Sequence, residues 1–465
     1  MAGAAVDFLT SYFDGLRTMP VVVPTTSRAI RERIDEPLPL EGVDFGVLMD
    51  SVRDVLSQYS RHSAHPRMFG YVASPGTAVT AVSHMIAAAM NVNVTAWRSA
   101  PSAADLERLI IDWLKEMLGY PPEAGGLLLS GGSMANFAGL AAARSTKAGV
   151  DVVREGMAAV GRRMCVYVYG ESHYSVAKAA GMLGIGEANV RSVRTDDCLH
   201  IDLEDLERLV DADRAAGHLP ICVVANAGTT ATGAFDPLME VADFARRNDL
   251  WMHVDAAYGG FAALAPSARH LFAGIERADS IALDPHKWLY APVGCGCVLY
   301  KDPAAARAAF AHGADYTRTI GLKDDEAFAF WDYGPELTRP FRALDLWMLI
   351  KFVGTERLGA AIAENIACAK YFAELVSESD DFEMLAPVEL SVFCFRHVPK
   401  GFAGDLDAYN ERLLVAVQRA GSTYLSNARV GGKFALRGCV LNYRTTRGDM
   451  ARVLEDVRAG AGDAF

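Results

Sequence analysis

Lys287 closes the run Ser280-Ile281-Ala282-Leu283-Asp284-Pro285-His286-Lys287, and Asp255 closes Trp251-Met252-His253-Val254-Asp255 upstream. Each follows a short apolar stretch that reads as a buried strand, so the amine and the carboxylate arrive at strand ends, in or beside a cleft. An amine that can form a Schiff base and a carboxylate that can keep a pyridine nitrogen protonated are what pyridoxal phosphate (PLP) needs to accept electrons.

Three further segments could complete such a site. Leu127-Leu128-Leu129-Ser130-Gly131-Gly132-Ser133 reads as a strand, a glycine turn and a helix start. Gly132 lets backbone approach an anion, Ser133 can cap the helix, and the free N–H groups of the first turn can face a phosphate. His173 follows the Cys165–Tyr169 run, so its ring is delivered to the same rim and can stack on a pyridine face. Gly228-Thr229-Thr230 follows Ile221–Ala225 and can direct a hydroxyl at the ring oxygen or the Schiff base.

Elements that would position these groups alternate from about residue 76 to 300. Strand-like runs are Gly126–Leu129, Cys165–Tyr169, Ile221–Ala225, Trp251–Asp255, Ser280–Leu283 and Gly296–Tyr300. Helical patterns such as Ser133–Ser145, Ser175–Leu183, Leu203–Arg214 and Pro237–Arg247 fall between them. This predicts an α/β fold with a mainly parallel sheet covered by helices, where ligands gather at the carboxyl ends of strands. Residues 1–75 are short helices broken by prolines, with too little apolar surface to stand alone. Ala311–Pro340 interrupts the alternation, as functional or mobile loops do. A long amphipathic helix beginning near Phe341 then leads into a smaller α+β part ending in strand-like Phe434–Leu436 and Cys439–Tyr443.

Composition narrows the partners. The 465 residues carry a net charge of −12, which disfavours a nucleic-acid or anionic-membrane partner. No apolar run approaches the roughly 20 residues needed to span a bilayer, and the first residues lack a signal pattern. Eight cysteines without a CxxC pair fit reduced thiols in the cytoplasm rather than a disulfide framework or a metal site.

The chain resembles the group II PLP-dependent amino acid decarboxylases, nearest to their aromatic-L-amino-acid branch, from about His65 to Thr446. The resemblance rests on His253-Val254-Asp255-Ala256-Ala257-Tyr258 and Pro285-His286-Lys287-Trp288. His65-Pro66-Arg67-Met68-Phe69-Gly70-Tyr71, Trp97-Arg98-Ser99-Ala100-Pro101 and Gly228-Thr229-Thr230 support it. It implies the fold type I architecture of PLP enzymes. Residues 1–75 would pack on a partner subunit, 76–340 form the large PLP-binding domain with its catalytic loop at 311–340, and 341–465 form the small domain. It also implies a homodimer.

By the same resemblance Lys287 is the Schiff-base lysine, Asp255 the partner of the pyridine nitrogen and His173 the stacking residue. Gly132, Ser133 and His286 would hold phosphate, Thr230 matches the family's active-site threonine, and Ala257 lies against the ring. The loop tyrosine that protonates the substrate carbon falls on Tyr316, while Tyr71 and Ser74 fall where the family lines its substrate pocket. Two positions depart from the animal enzymes. Position 284 is Asp where they carry a phosphate-binding Asn, and an ionised Asp repels phosphate. The strip Asn91–Trp97, with Asn93 and Thr95 as further substrate candidates, is smaller and more polar than their aromatic wall.

The activity implied is decarboxylation of an L-amino acid of the tyrosine, DOPA, phenylalanine, tryptophan or 5-hydroxytryptophan type to its amine. Alternatives are an aldehyde synthase, which goes with Phe at the loop position, an aminotransferase, and a non-catalytic PLP-binding homologue.

Overall fold

The computed structural model describes residues 1–170, 172–311, 326 and 328–464 of the chain, with side chains to 462. It divides into two compact units, one of residues 79–364 and one of residues 1–78 with 365–465.

The larger unit is built on seven strands: β1 (Gly125–Leu129), β2 (Met164–Tyr169), β3 (Val190–Val193), β4 (Leu219–Asn226), β5 (Trp251–Ala256), β6 (Ser280–Leu283) and β7 (Gly296–Tyr300). Their order in the sheet is β1-β7-β6-β5-β4-β2-β3. Pairs β2–β3, β2–β4, β4–β5 and β5–β6 are parallel, and β7 runs antiparallel to both β6 and β1. Val166, Tyr167, Val223, Val224, Val254 and Ile281 are fully buried, as expected of apolar strands covered on both faces.

This topology sets the place of the chemistry. Parallel β2, β4, β5 and β6 end at one rim, so the residues just after them share it. Strand β7 starts at that rim, and its pairing of Gly296 with Leu129 brings the end of β1 there as well. Gly296 is required for the approach: a Cβ on it would lie 2.5 Å from the Gly131 carbonyl carbon.

The expected six strands all form, with ends shifted by two residues at most. The β3 edge strand was not expected, because Val190-Arg191-Ser192-Val193 is half polar and reads as a loop. The long helix predicted from Phe341 breaks at Gly354, whose φ of +84° suits glycine, into Arg342–Val353 and Thr355–Ser377.

The smaller unit holds an antiparallel sheet in the order β10-β11-β9-β8, from β8 (Phe382–Met384), β9 (Val392–His397), β10 (Ser426–Val430) and β11 (Lys433–Cys439). Phe372, Phe393, Phe395, Tyr409 and Leu436 form its core. The sequence pattern predicts a strand over Cys439–Tyr443; β11 ends at Cys439 instead. Beyond it Asn442 donates to the carbonyls of Ala64 and His65, and Thr445 to that of Pro66. These bonds, with that from Cys439 N–H to the Phe69 carbonyl, tie the early segment to the last third of the chain. They are the reason residues 1–78 and 365–465 form one unit, a division that differs from one cut at 75 and 340.

Candidate active site

Helix and strand geometry converge on a cavity of about 390 Å³ at the strand-end rim of the larger unit. Gly132, Ser133, His173, Thr230, Asp255, Ala257, Asp284, His286 and Lys287 all line it, together with Asn136, Ser175 and Asn226. A cavity of this size suits a small cofactor.

Lys287 sits in the one-turn helix Pro285–Trp288 that follows β6. Trp288 anchors this turn, fully buried and stacked on Tyr258 with ring centroids 5.2 Å apart. Lys287 Nζ lies 2.9 Å from Asp284 Oδ2. Asp284 is only 2 % exposed, and its Oδ1 is buried without a hydrogen-bond partner. His286 Nδ1–H donates to the Cys295 carbonyl at 2.9 Å, which aims the other ring nitrogen away from β7.

Asp255 is the last but one residue of β5, buried but facing the cavity. Its Oδ1 accepts from Ala257 N–H at 3.1 Å and its Oδ2 from Asn136 Nδ2 at 2.8 Å. His173 accepts at Nδ1 from the Ser175 backbone N–H at 3.3 Å, with Ser175 Oγ 2.8 Å from the same atom. Burial lowers the His173 pKa, opposed by the charge of Asp255, so its imidazole is neutral near pH 7.

The helix Gly132–Lys147 differs from expectation at its start. The spacing predicts Ser133 as the cap, but Gly131 is the N-cap and Ser133 is the second helical residue, exposed to the cleft. Met134 and Ala135 N–H already bond the Gly131 carbonyl, so the first-turn N–H groups left to meet a ligand are those of Gly132 and Ser133. A Cβ on Gly132 would lie 2.6 Å from Asp284 Oδ2 and 2.9 Å from the Ala257 methyl, so glycine keeps this cradle open. Of the adjacent threonines, Thr229 is buried and bonded to Thr232 and Ala234 N–H, while Thr230 lines the cavity.

Other candidates fall elsewhere. Asn93 and Thr95 lie outside this cavity: Asn93 Oδ1 accepts from Arg339 N–H and the Thr95 carbonyl from Phe330 N–H. Both therefore hold the later part of the 311–340 stretch. Tyr71 and Ser74 belong to the other unit, where the Tyr71 ring packs on Tyr424 with centroids 6.1 Å apart and Ser74 is buried. Tyr316 lies outside the described residues.

Asn136, Ser175 and His253 are absent from the sequence-based candidates; periodicity puts two of them on the right face but marks neither as functional. Asn136 is one turn after Gly132 on the same helix face, and His253 shares its β5 face with Asp255. Among the described residues, one cluster has metal-ligand geometry, Cys165, Asp213 and His218. The Arg191 guanidinium fills it, bonding all three side chains. No cysteine forms a disulfide and seven are buried; burial pushes the Cys295 and Cys297 thiols upward, which keeps these two unreactive. No described helix is long and apolar enough to cross a membrane.

The donor set suits PLP: an amine, a carboxylate open to the cavity, a flat neutral imidazole and a glycine-cleared helix start, all on one rim. The pyridoxal-dependent decarboxylase conserved domain matches residues 27–398. The chain is 33% identical to an aromatic-L-amino-acid decarboxylase of Bacillus atrophaeus, over 98% of this chain and 93% of that one. It is 28% identical to a phenylacetaldehyde synthase of Petunia hybrida, over 94% and 88%. A crystal structure of Oryza sativa TDC with PLP and tryptamine superposes with a TM-score of 0.91 at 31% identity, covering 99% of this chain and 96% of the other.

Proposed function

Because the chain belongs to the pyridoxal-dependent decarboxylase family, we propose that it removes the carboxylate of an aromatic L-amino acid as CO₂ and releases the amine. The observation that supports this reading most is the meeting of Lys287, Asp255, His173 and Thr230 around one cavity. When bound, PLP supplies an electron sink for the pair left on a substrate carbon as a bond there breaks.

The residues then have separate tasks. Lys287 tethers the cofactor through Nζ. Asp255 keeps a proton on the pyridine nitrogen, since a buried carboxylate favours an adjacent cation. His173 would cover the ring, and its neutrality would leave the Asp255 charge uncontested. Thr230 would offer a hydroxyl in the same cavity as Lys287, and the small Ala257 would leave room for the ring. The start of the Gly132–Lys147 helix, with Ser133 and His286, receives the phosphate. Tyr316 is assigned the proton delivered to the substrate carbon after CO₂ leaves, a step of general acid catalysis. Tyr71 and Ser74 are assigned to the substrate side chain.

Residues 1–75 support a homodimer, because they leave apolar side chains outside either core. Leu38 is 86% and Leu40 95% exposed, with Val43, Val47 and Leu56 also open. Light scattering should give twice the chain mass, and an active monomer would refute the assignment.

A panel assay of CO₂ and amine from tyrosine, DOPA, phenylalanine, tryptophan and 5-hydroxytryptophan, with glutamate for contrast, tests the reading. Turnover of at least one aromatic substrate above glutamate is expected. Release of CO₂ from glutamate alone would overturn the substrate class, and no CO₂ from any would overturn the activity.

A further inference from the structure

Behind the cavity wall, a directed line of hydrogen bonds runs from β5 to both polar partners assigned to the cofactor ring. Trp251 Nε1–H donates to Ser280 Oγ at 2.8 Å, and Ser280 Oγ lies 2.8 Å from His253 Nδ1. His253 Nε2 lies 2.9 Å from Asn136 Oδ1. Asn136 Nδ2 reaches Asp255 Oδ2 at 2.8 Å and Ser175 Oγ at 2.9 Å, and Ser175 Oγ reaches His173 Nδ1 at 2.8 Å.

Chemistry permits one consistent direction for these bonds. The Asp255 carboxylate only accepts, so the Asn136 amide must turn its NH₂ toward it and its carbonyl oxygen toward His253. That oxygen also only accepts, so His253 carries its proton on Nε2. Nδ1 then accepts from the Ser280 hydroxyl, whose oxygen takes the Trp251 N–H. A doubly protonated His253 would leave the Ser280 hydroxyl proton without an acceptor here. Full burial points the same way, lowering the His253 pKa to about 4. On the other arm, Ser175 takes the second Asn136 N–H and passes its own proton to His173 Nδ1, matching the backbone bond at that nitrogen.

We propose that Asn136 is a positioning residue whose one amide, locked by neutral His253, holds the Asp255 carboxylate and the His173 imidazole in register while leaving the Asp255 charge unneutralised for the cofactor's ring nitrogen. The inference rests on the reading of Asp255 as that nitrogen's partner. Fold geometry supports it independently: Asn136 is buried at 1% exposure, and Gly139 one turn on is what admits His253. A Cβ on Gly139 would lie 2.5 Å from His253 Cε1. Buried networks of this kind are held only when every member is satisfied.

The test is a double-mutant cycle on PLP affinity, measured by titrating purified apoenzymes with PLP. Asn136→Leu removes the amide without adding charge and should raise the PLP Kd by about tenfold or more, as loss of a bond to a charged group does. Asp255→Asn should also raise it. The two together should cost clearly less than the product of the two single losses, because one arm of the amide acts through the carboxylate. Asn136→Asp, of the same shape, covers a folding failure of the leucine variant and should also raise the Kd at unchanged near-UV circular dichroism. His253→Gln, which keeps an N–H facing Asn136, should stay near wild type while His253→Leu follows Asn136→Leu.

Multiplicative losses in the double variant, or a wild-type Kd in Asn136→Leu and Asn136→Asp, would overturn the proposal and leave the function standing. A wild-type Kd in Asp255→Asn would instead overturn the Asp255 assignment, and the proposal with it.

Discussion

Lys287 Nζ and Asp284 Oδ2 lie 2.9 Å apart across one helical turn, so the amine assigned to the cofactor already has a carboxylate as its partner. That carboxylate stands beside the Gly132 cradle, within 2.6 Å of where a Cβ would be. If Nζ holds the cofactor as assigned, its bond to Asp284 would weaken, leaving the carboxylate beside the helix start proposed to receive the phosphate. Like charges at such range repel, and more so away from water.

Asp284→Asn removes this repulsion while keeping the shape of the side chain. The Kd for PLP should fall by about tenfold, the equivalent of 1.4 kcal/mol. Fluorescence titration of the apoenzyme measures it. A rise in Kd would mean that the carboxylate helps to hold the cofactor.

Arg339 and Glu107 form a buried ion pair that braces β1. Arg339 donates to the carbonyls of Val94 and Leu128, and Glu107 accepts from Leu128 N–H at 2.9 Å. Arg339→Met leaves the Glu107 charge without its cation and should cost about 3–5 kcal/mol. Glu107→Leu combined with Arg339→Met should recover much of this. The midpoint of urea unfolding reports both. Equal loss in the single and double variants would show that the pair's charge is not what matters.

Acid should weaken the fold through His253. Its pKa is lowered to about 4 by burial, from the ordinary 6.5. The unfolded chain therefore binds the proton first, so stability is full above the ordinary value and declines as pH falls toward 4. The loss is on the order of 3 kcal/mol. Melting temperature against pH should fall more steeply for wild type than for His253→Gln. Parallel curves would remove His253 from the acid response.

Tyr316→Phe tests the proton donor assigned on the loop. The variant should retain the absorbance of bound PLP but lose amine, with ammonia and peroxide appearing beside CO₂ if oxygen intercepts the carbanion. Undiminished amine yield would exclude Tyr316 from the role.

Much of this site was legible in the sequence because strand ends are. Continuous apolar runs such as Ile281-Ala282-Leu283 end sharply, and parallel topology carries the next polar residues to one rim. Hence Lys287, Asp255, His173 and Thr230 could be named before any geometry. The brace behind them could not. Asn136 sits in an alanine-rich helix and Ser175 at a helix start, positions where both residues are ordinary. Only the fold reveals that they share a proton line. The Ser133 cap failed because the glycine turn allows the helix to be capped at Gly131, two residues sooner. The Cys439–Tyr443 strand failed because Asn442 and Thr445 spend their bonds on residues 64–66, a long-range tie that no local pattern encodes.

The most direct test is borohydride reduction of the PLP-loaded protein, followed by peptide mass mapping of wild type and Lys287→Ala. The account predicts a reduced cofactor adduct on the peptide containing Lys287, and neither adduct nor visible absorbance of that kind in the variant. An adduct on another lysine, or an unaltered absorbance in Lys287→Ala, would contradict it.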